Sequence, residues 1–336
     1  MKHNKTMKRL LLLALILMSG LCATRLFAQS TLMATLSHEG NITTYSGANA
    51  FSTAMSAAVD GDIITLSPGA FSAANINKAV TIRGAGGACD TWNEEAFNHA
   101  TIINGNVYLR TSEAVLVEDV YFNSYFYYAS DTDNSNSKFV RCRFKIITNS
   151  NNSLKLIDAQ FINCRINEEV YCNSGSNMNF TNCIVRYPHN SSDSYMDFLN
   201  CLIFGGDWGT LGIYNSNFKN SIYRNYNSSG YDSSLRSSNN ASHCVFIGSG
   251  TGFFKDVQPS ISNTSVTESF LLDDYQLNDA AKATYLGTDG TEIGIYGGVM
   301  PFKATPANPH ISDMKVAQKT TESGNLKVEI TVKGYE

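Results

Sequence analysis

Seven hexapeptides with the same pattern of apolar and polar positions recur along the middle of the chain. Their first and sixth positions are apolar or aromatic, the third is polar, and the fourth is small or Cys. Successive copies start 17 to 24 residues apart. This spacing predicts one short structural unit repeated about every 20 residues. The copies are 117–122 VEDVYF, 139–144 FVRCRF, 156–161 LIDAQF, 180–185 FTNCIV, 198–203 FLNCLI, 218–223 FKNSIY and 241–246 ASHCVF.

The polar third position interrupts the alternation of a regular strand, because positions one and four both have to point inward. A bend at this residue resolves the conflict, and Asn tolerates the left-handed backbone that such a bend uses. Stacked amides there can also hydrogen-bond from copy to copy. We therefore expect an all-β fold, in which a strand, a bend and a second strand form each turn of a parallel β-solenoid. The third-position residues are Asp119, Arg141, Asp158, Asn182, Asn200, Asn220 and His243.

The segment before the repeats has its own pattern of turns. Residues 49–87 predict a short helix at about 50–59, turns at 60–62 and 68–69, and strands at 63–66 and 79–83. Together with the apolar-x-Asn-Cys-x-apolar ladder, this segment resembles the pectin-lyase-like superfamily. The resemblance covers about residues 45–300 and implies a right-handed parallel β-helix with a short N-terminal capping helix. Residues 287–302 are similar to the closing segment of secreted β-helix proteins from gut-type, Bacteroides-like bacteria.

The N-terminal 28 residues have the pattern of a secretory signal peptide. They contain five basic and no acidic residues, an apolar run at 10–18, and Ala28 before the expected cleavage site. The run is too short to span a bilayer. A lipid anchor on Cys22 is the alternative, although Leu21 stands where lipoprotein signals normally have Gly or Ala. We expect a signal peptide at 1–28 and a secreted, periplasmic or outer-surface location.

The mature chain is predicted to have two parts. Residues 29–303 form the β-helix domain with its N-terminal cap, and residues 304–336 form a small C-terminal β tail, because 326–333 alternate at period two. Position five of the later repeats should face outward, yet it is apolar. This stripe needs a cover, which we expect to be the C-terminal tail or a partner. Its members are Ile184, Leu202, Ile222 and Val245.

Charge narrows the possible partners. The full chain has 25 basic and 29 acidic residues, and loss of the five basic residues of the leader leaves 20 against 29, a net charge of about −9. Charged residues make up 16% of the chain, below the roughly 25% of an average globular protein. Nucleic acid is therefore not an expected partner, because no basic stripe is left to neutralise phosphates. We expect a monomer whose partner is a polysaccharide.

Cysteine is unusually frequent in the repeats. Four residues of the ladder are Cys142, Cys183, Cys201 and Cys244, and no C-x-x-C motif occurs. We expect them to pack as small apolar side chains in a narrow core rather than to bind metal. Cys164 and Cys172 lie eight residues apart. Whether they form a disulfide stays open, since the sequence does not show the distance between them.

A first group of candidate catalytic residues comes from the repeats. Asp119, Arg141 and Asp158 occupy the third position of three successive copies, which places an Arg between two carboxylates. With Arg143 and Lys145, this group suits β-elimination from an acidic polysaccharide, where a cation lies near the proton that is removed. The alternative is a salt-bridged version of the Asn ladder. The hydrolase and lyase motifs of the resembled superfamily are missing, apart from an Asp-Asp pair at 273–274.

A loop and several aromatic residues suggest binding. Asp131, Asp133 and Ser135 supply closely spaced oxygens for a possible calcium ion, with an ordinary polar loop as the alternative. Aromatic and polar residues after the hexapeptides could stack on sugar rings and bind hydroxyls, or could only fill the core and cover loops. The sequence thus favours a non-catalytic polysaccharide-binding protein, with a polysaccharide lyase or glycosidase and a structural or adhesive protein as alternatives. The candidate sugar contacts are Tyr125, Tyr127, Tyr187, His189, Asp207, Trp208 and Tyr226.

Overall fold

The structure is a computed structural model. It describes residues 32–87, 89, 100–128, 131–149, 153–205, 212–225, 239–247, 261–263, 271–272, 274–303, 310–320 and 326–333. The expected signal peptide and Cys22 lie outside these residues.

Strands dominate the described part of the chain, with two short helices, α1 (Ala50–Ala57) and α2 (Asp279–Thr284). The strands are β1 (Met33–His38), β2 (Asn41–Ser46), β3 (Ile63–Leu66), β4 (Gly69–Ser72), β5 (Thr81–Arg83), β6 (Thr101–Asn104), β7 (Val107–Tyr108), β8 (Leu116–Glu118), β9 (Val120–Tyr128), β10 (Asn134–Ser135), β11 (Lys138–Val140), β12 (Arg143–Asn149), β13 (Leu156–Ile157), β14 (Ala159–Ile162), β15 (Arg165–Cys172), β16 (Asn177–Thr181), β17 (Ile184–Arg186), β18 (Pro188–Asn190), β19 (Tyr195–Leu199), β20 (Leu202–Gly205), β21 (Asn217–Lys219), β22 (Ile222–Asn225), β23 (Asn240–Ser242), β24 (Val245–Ile247), β25 (Ile261–Asn263), β26 (His310–Thr320) and β27 (Leu326–Lys333).

The strands assemble into two long sheets between which the chain alternates. The 11-stranded sheet has the order β2-β1-β3-β5-β8-β11-β14-β16-β19-β21-β23. The 12-stranded sheet follows β25-β24-β22-β20-β17-β15-β12-β9-β6-β4, with β7 on β9 and β18 on β15. Pairing is parallel throughout both sheets except where β1 joins β2 and β3. The fold is a right-handed parallel β-solenoid of about seven turns, as predicted.

The predicted bend is present in every turn of the ladder. Its residues have positive φ angles between 50° and 59°, the left-handed region that allows the chain to pass from one sheet to the other. They are Asp119, Arg141, Asn163, Asn182, Asn200, Asn220 and His243.

The third copy of the repeat was assigned wrongly. Phe161 pairs with Phe139 on one side and with Phe180 on the other, so this copy is 161–166 FINCRI and its bend residue is Asn163. Asp158 also has a positive φ of 52°, but it belongs to a different corner, next to the Ser135–Ile157 pair. The error arose because Leu156 and Phe161, five residues apart, imitate the ends of the hexapeptide.

First-position side chains form a column in the core. Ring centroids of neighbouring phenylalanines lie 4.8 to 5.2 Å apart and the rings are within 16° of parallel. Each ring therefore repeats the contact of the turn before it, in the offset-stacked geometry that aromatic pairs favour. The column consists of Phe139, Phe161, Phe180, Phe198 and Phe218.

Fourth-position side chains connect the turns by hydrogen bonds. The Cys183 Sγ donates to the Phe161 carbonyl at 3.2 Å and accepts from the Cys164 amide at 3.3 Å. The Ser221 Oγ likewise accepts from the Cys201 amide at 3.0 Å and lies 3.3 Å from the Phe198 carbonyl, although its shorter contact, at 2.8 Å, is with the Lys219 carbonyl of its own turn. Burial raises the pKa of the Cys183 thiol, which keeps the donor protonated. The described cysteines are all free and buried, Cys164 and Cys172 included, in agreement with the expected packing role.

The apolar stripe is covered by a segment that was not expected to cover it. Ile184, Leu202, Ile222 and Val245 share a buried cluster with Leu277, Ala281, Ile293, Ile295 and Phe302. We call residues 274–303, which carry these partners, the closing segment. The expectation that the tail after residue 303 or a partner covers the stripe is therefore corrected. In the tail itself, β26 and β27 form an antiparallel hairpin.

The closing segment also binds side chains of the Asn ladder. The Asn182 Nδ2 donates to the carbonyls of Ile295 at 2.8 Å and Gly297 at 2.7 Å. Asn220 accepts from the Thr288 amide at 2.9 Å through its Oδ1. These two amides therefore hold the closing segment on the solenoid, a use that replaces the expected amide-to-amide stacking.

Candidate functional site

The candidate catalytic Arg pairs closely with Asp119, and its Nη2 also lies 4.0 Å from the Oε1 of Glu118, the residue before Asp119 in the chain. Arg141 makes two hydrogen bonds to Asp119, at 2.8 Å from Nε and 2.9 Å from Nη2. The Asp119 side chain is only 1% exposed, and burial raises the pKa of its carboxyl although Arg141 acts in the opposite direction. Asp158 accepts from Asn177 instead. The expected Arg between two ladder carboxylates is therefore not formed, and the Asp119–Arg141 pair fits the salt-bridged ladder that was the alternative.

The other two candidate cations lie in different surroundings. The Arg143 side chain is buried, and its guanidinium carbon lies 4.6 Å from the centre of the Tyr121 ring. Burial lowers the pKa of Arg143. The Lys145 side chain is 41% exposed, and its Nζ lies 3.9 Å from the Glu168 Oε1. The structure therefore does not gather Arg141, Arg143 and Lys145 around one open point.

The three candidate calcium ligands do not point to a common centre in the contacts that the structure gives them. The Asp131 carboxylate lies 3.5 Å from the Arg110 Nε. The Asp133 Oδ1 accepts from the Lys155 amide at 2.8 Å, and Ser135 ends the short strand β10. Among the described residues, no group of three or more His, Cys, Asp or Glu side chains is placed to hold a metal ion.

A row of tyrosines is the clearest surface feature. Tyr127 stacks on Tyr108 of the neighbouring strand at 4.8 Å between centroids and on Tyr125 of its own strand at 5.5 Å, with rings 10° to 13° from parallel. Tyr125 is 41% exposed. The Arg110 guanidinium carbon lies over the Tyr108 ring, 5.1 Å from its centre. The structure thus brings together two candidate sugar contacts, Tyr125 and Tyr127, and adds Tyr108, which precedes the first hexapeptide.

Strand alternation extends this row over successive turns. In β9, Phe126 and Tyr128 are fully buried, so Tyr125 and Tyr127 point outward. Thr148 of β12 pairs with Tyr127, and the Ile147–Val170 pair places Tyr171 next to Thr148. We call six of the outward side chains of β7, β9, β12 and β15 the tyrosine face: Tyr108, Tyr125, Tyr127, Thr148, Glu169 and Tyr171. Ile146 lies between Tyr125 and Glu169 in the same register.

His189 supports the far end of the tyrosine face. Its ring stacks on Tyr171 at 4.8 Å, and its Nε2 lies 2.7 Å from the Glu169 Oε1. The side chain is buried, so it holds neighbours in place rather than meeting a ligand. A hydrogen bond with His189 keeps the pKa of the Glu169 carboxyl below its usual value. Tyr187 sits on a left-handed turn before β18, and Asp207, Trp208 and Tyr226 lie outside the described residues.

Amide and hydroxyl groups border the tyrosine face. The Asn123 Nδ2 donates to the Asn104 Oδ1 at 3.2 Å, and Asn123 accepts from the Tyr121 hydroxyl at 2.7 Å. The Ser124 hydroxyl donates to the Asn106 Oδ1 at 2.7 Å. Asn104, Asn106 and Asn123 are exposed. This border therefore offers neutral hydrogen-bonding groups next to aromatic rings.

Comparisons with protein-family models, with curated proteins and with solved structures find no match to this chain. The classification therefore rests on the architecture, which is a right-handed parallel β-solenoid. In the part of the chain that the structure describes, no helix is long and apolar enough to cross a membrane.

Proposed function

We propose that this protein binds an extended polysaccharide along the tyrosine face, without catalysis, as a secreted or cell-envelope protein of the pectin-lyase-like superfamily. The family and the location rest on the repeat pattern and on the signal-like leader. The observation that carries the binding function is the stacked row of Tyr108, Tyr127 and Tyr125. The rings cover part of one another, so the row offers a sugar the ring faces left open, above all at the exposed Tyr125, together with the ring edges and hydroxyls. Open aromatic faces bind the C–H faces of sugars, and nearby polar groups set their orientation.

The geometry of the row favours binding in two ways. Stacking fixes the three rings before a ligand arrives, which lowers the conformational entropy lost on binding. The parallel strands repeat about every 4.8 Å, so contacts recur at regular intervals along the solenoid axis. A ligand with a regular repeat, such as a polysaccharide, can use several turns at once.

A binding assay with matched variants tests this proposal. The purified protein is screened against an array of plant, algal and microbial glycans, alongside Tyr127→Ala and Tyr195→Ala. Tyr195 is as exposed as Tyr125, at 41%, but belongs to the other sheet. We expect Tyr127→Ala to raise Kd at least about tenfold, as for the loss of a central aromatic contact, and Tyr195→Ala to bind like wild type. Equal binding by all three proteins would overturn the proposal.

An activity assay separates binding from catalysis. A polysaccharide lyase would release unsaturated uronates, which absorb in the ultraviolet, from uronic-acid polymers supplied with calcium. The proposal predicts no such product. Turnover by wild type that is lost in Arg143→Ala would instead favour the lyase.

A further inference from the structure

The far end of the tyrosine face has the parts of a second sugar subsite. Tyr171 is held between two contacts, because its ring stacks on His189 and its hydroxyl lies 3.1 Å from the Ser191 Oγ. It is three strand spacings, or about 14 Å, from the strand that carries Tyr108. Thr148 lies between the two ends, so the face presents sugar-binding groups over four successive strands.

The charge at this end differs from that at the tyrosine row. Glu169 is the acidic member of the tyrosine face, and its side chain is 38% exposed. Its pKa is lowered by the hydrogen bond with His189, so the carboxylate is ionised at neutral pH. A carboxylate accepts hydrogen bonds from sugar hydroxyls but repels the carboxylate of a uronic acid.

Two cations beside the tyrosine face each have a carboxylate of their own. Arg110, at the opposite end of the face, lies 3.5 Å from Asp131. Lys145 lies 3.9 Å from Glu168. The mature chain is also acidic, with a net charge of about −9 once the five basic residues of the leader are subtracted from the 25 of the full chain. Long-range attraction of a polyuronate is therefore not expected.

We propose that the tyrosine face selects a neutral, hydroxyl-rich glycan over a polyuronate, with Tyr171 and Glu169 forming a second subsite in which Glu169 accepts hydrogen bonds from sugar hydroxyls. His189 acts on this subsite as a positioning residue. This inference rests on the proposed glycan-binding function and deepens it by naming the class of glycan.

Titration calorimetry with two ligand sets tests the selectivity. The probes are neutral hexose oligomers (gluco-, manno- and galacto-oligosaccharides) and oligogalacturonates of equal length. Wild type should bind a neutral series more tightly. In Glu169→Gln the affinity for oligogalacturonate should rise roughly fivefold, the effect of one charge at contact distance in water. Glu168→Gln is the matched control, since it removes the same charge from the adjacent, more exposed residue, and should leave the ratio of affinities unchanged.

The outcomes distinguish this inference from the function on which it rests. If Tyr127→Ala weakens binding but wild type prefers oligogalacturonate, or if Glu169→Gln leaves the ratio unchanged, the selectivity is overturned and the binding function stands. If Tyr127→Ala binds every glycan like wild type, both fall. Circular dichroism of each variant verifies the fold. The Glu169→Gln side chain can still accept a hydrogen bond from His189.

Discussion

The Sγ of Cys183 donates a hydrogen bond to the carbonyl oxygen of Phe161 on the previous turn, at 3.2 Å. The same sulfur accepts from the Cys164 amide. One buried side chain thus satisfies a carbonyl and an amide of the turn beside it. Ser221 occupies the equivalent position and accepts the equivalent bond from the Cys201 amide, while its hydroxyl lies between the Phe198 and Lys219 carbonyls. Cys fills this position in five of the seven copies and Ser in one, and both residues donate and accept as well as being small.

Substitution of Cys183 tests this explanation. Cys183→Ser keeps a side chain that can donate and accept at this position, as Ser221 does, whereas Cys183→Ala leaves a buried carbonyl and amide without their side-chain partner. We expect Cys183→Ala to lower the free energy of unfolding by about 1–3 kcal/mol, and Cys183→Ser to lower it by less. Chemical denaturation of both variants measures the difference. If the alanine variant is the more stable of the two, the ladder acts by packing alone.

The closing segment should depend on Asn182. Asn182→Gly keeps the left-handed backbone at this position but removes the two bonds to Ile295 and Gly297. We expect faster hydrogen exchange throughout 293–302, with a local cost of about 1–3 kcal/mol. Asn163→Gly is the control, because it has the same backbone geometry and its Oδ1 has no hydrogen-bond partner. Equal exchange in 293–302 for the two variants would contradict this role.

Removal of the tail should leave the apolar stripe covered. The closing segment, which ends at residue 303, supplies the side chains that bury Ile184, Leu202 and Ile222. A chain that stops before Ala304 should therefore have a melting temperature within about 2 °C of that of the full chain, which means essentially unchanged stability. It should also bind no more of a hydrophobic dye than the full chain does. A chain that stops before residue 274 should bind more dye. A large rise in dye binding on the first truncation would mean that the tail is a cover as well.

The N-terminal cap should have a pH-dependent contact between His38 and Asp62, whose side chains lie 2.7 Å apart. The hydrogen bond to Asp62 raises the pKa of His38, so its contribution is present below 6.5 and is lost as pH rises through the folded-state pKa. Burial raises the pKa of Asp62, but bonds from the Val59 amide and His38 outweigh it and lower the pKa. That contribution is present above 3.8 and is lost as pH falls.

The difference in melting temperature between wild type and His38→Gln should therefore be largest between about pH 4 and 6.5. It should shrink on both sides of this window. Melting curves of the two proteins across the pH range measure it. A difference that does not change with pH would show that the contact is not an ion pair.

Part of this structure could be predicted from the sequence because the relevant signal is local. A polar residue between two inward positions requires a bend, and the positive φ of Asn182, Asn200 and Asn220 follows from that pattern. The third copy was misread because Leu156 and Phe161 carry the same local signal one corner away. Only the pairing of Phe161 with Phe139 and Phe180 distinguishes the two registers.

A second ladder was missed because its signal is weak in sequence. The Asn134 Nδ2 binds the carbonyls of Thr111 at 2.8 Å and Glu113 at 2.9 Å, and Ser137 donates to its Oδ1. Asn173 and Ser176 repeat the Asn–Ser contact at 2.6 Å. The Asn-x-x-Ser spacing occurs in both, but in a chain rich in Asn and Ser it does not stand out.

The candidate site also combines residues that a local sequence signal reveals with residues that only the fold brings together. Tyr125 and Tyr127 could be singled out because aromatic residues crowd one stretch of sequence. Tyr108 and Tyr171 could not, since they reach the face only through the pairing of β7 with β9 and of β12 with β15, between residues about 20 positions apart in the chain. The cover of the apolar stripe likewise depends on one buried cluster that brings together residues far apart in sequence, such as Ile184 and Ile295.

The most direct test of the account is the affinity of wild type, Tyr127→Ala and Tyr195→Ala for a series of oligosaccharides of increasing length, measured by titration calorimetry with the best glycan from the array. If the glycan lies along the tyrosine face, wild-type affinity should rise with length until the chain spans about 14 Å, from Tyr108 to Tyr171, and then level off. Tyr127→Ala should lose this rise and Tyr195→Ala should keep it. Affinity that is independent of length, or a rise that persists in Tyr127→Ala, would contradict the account.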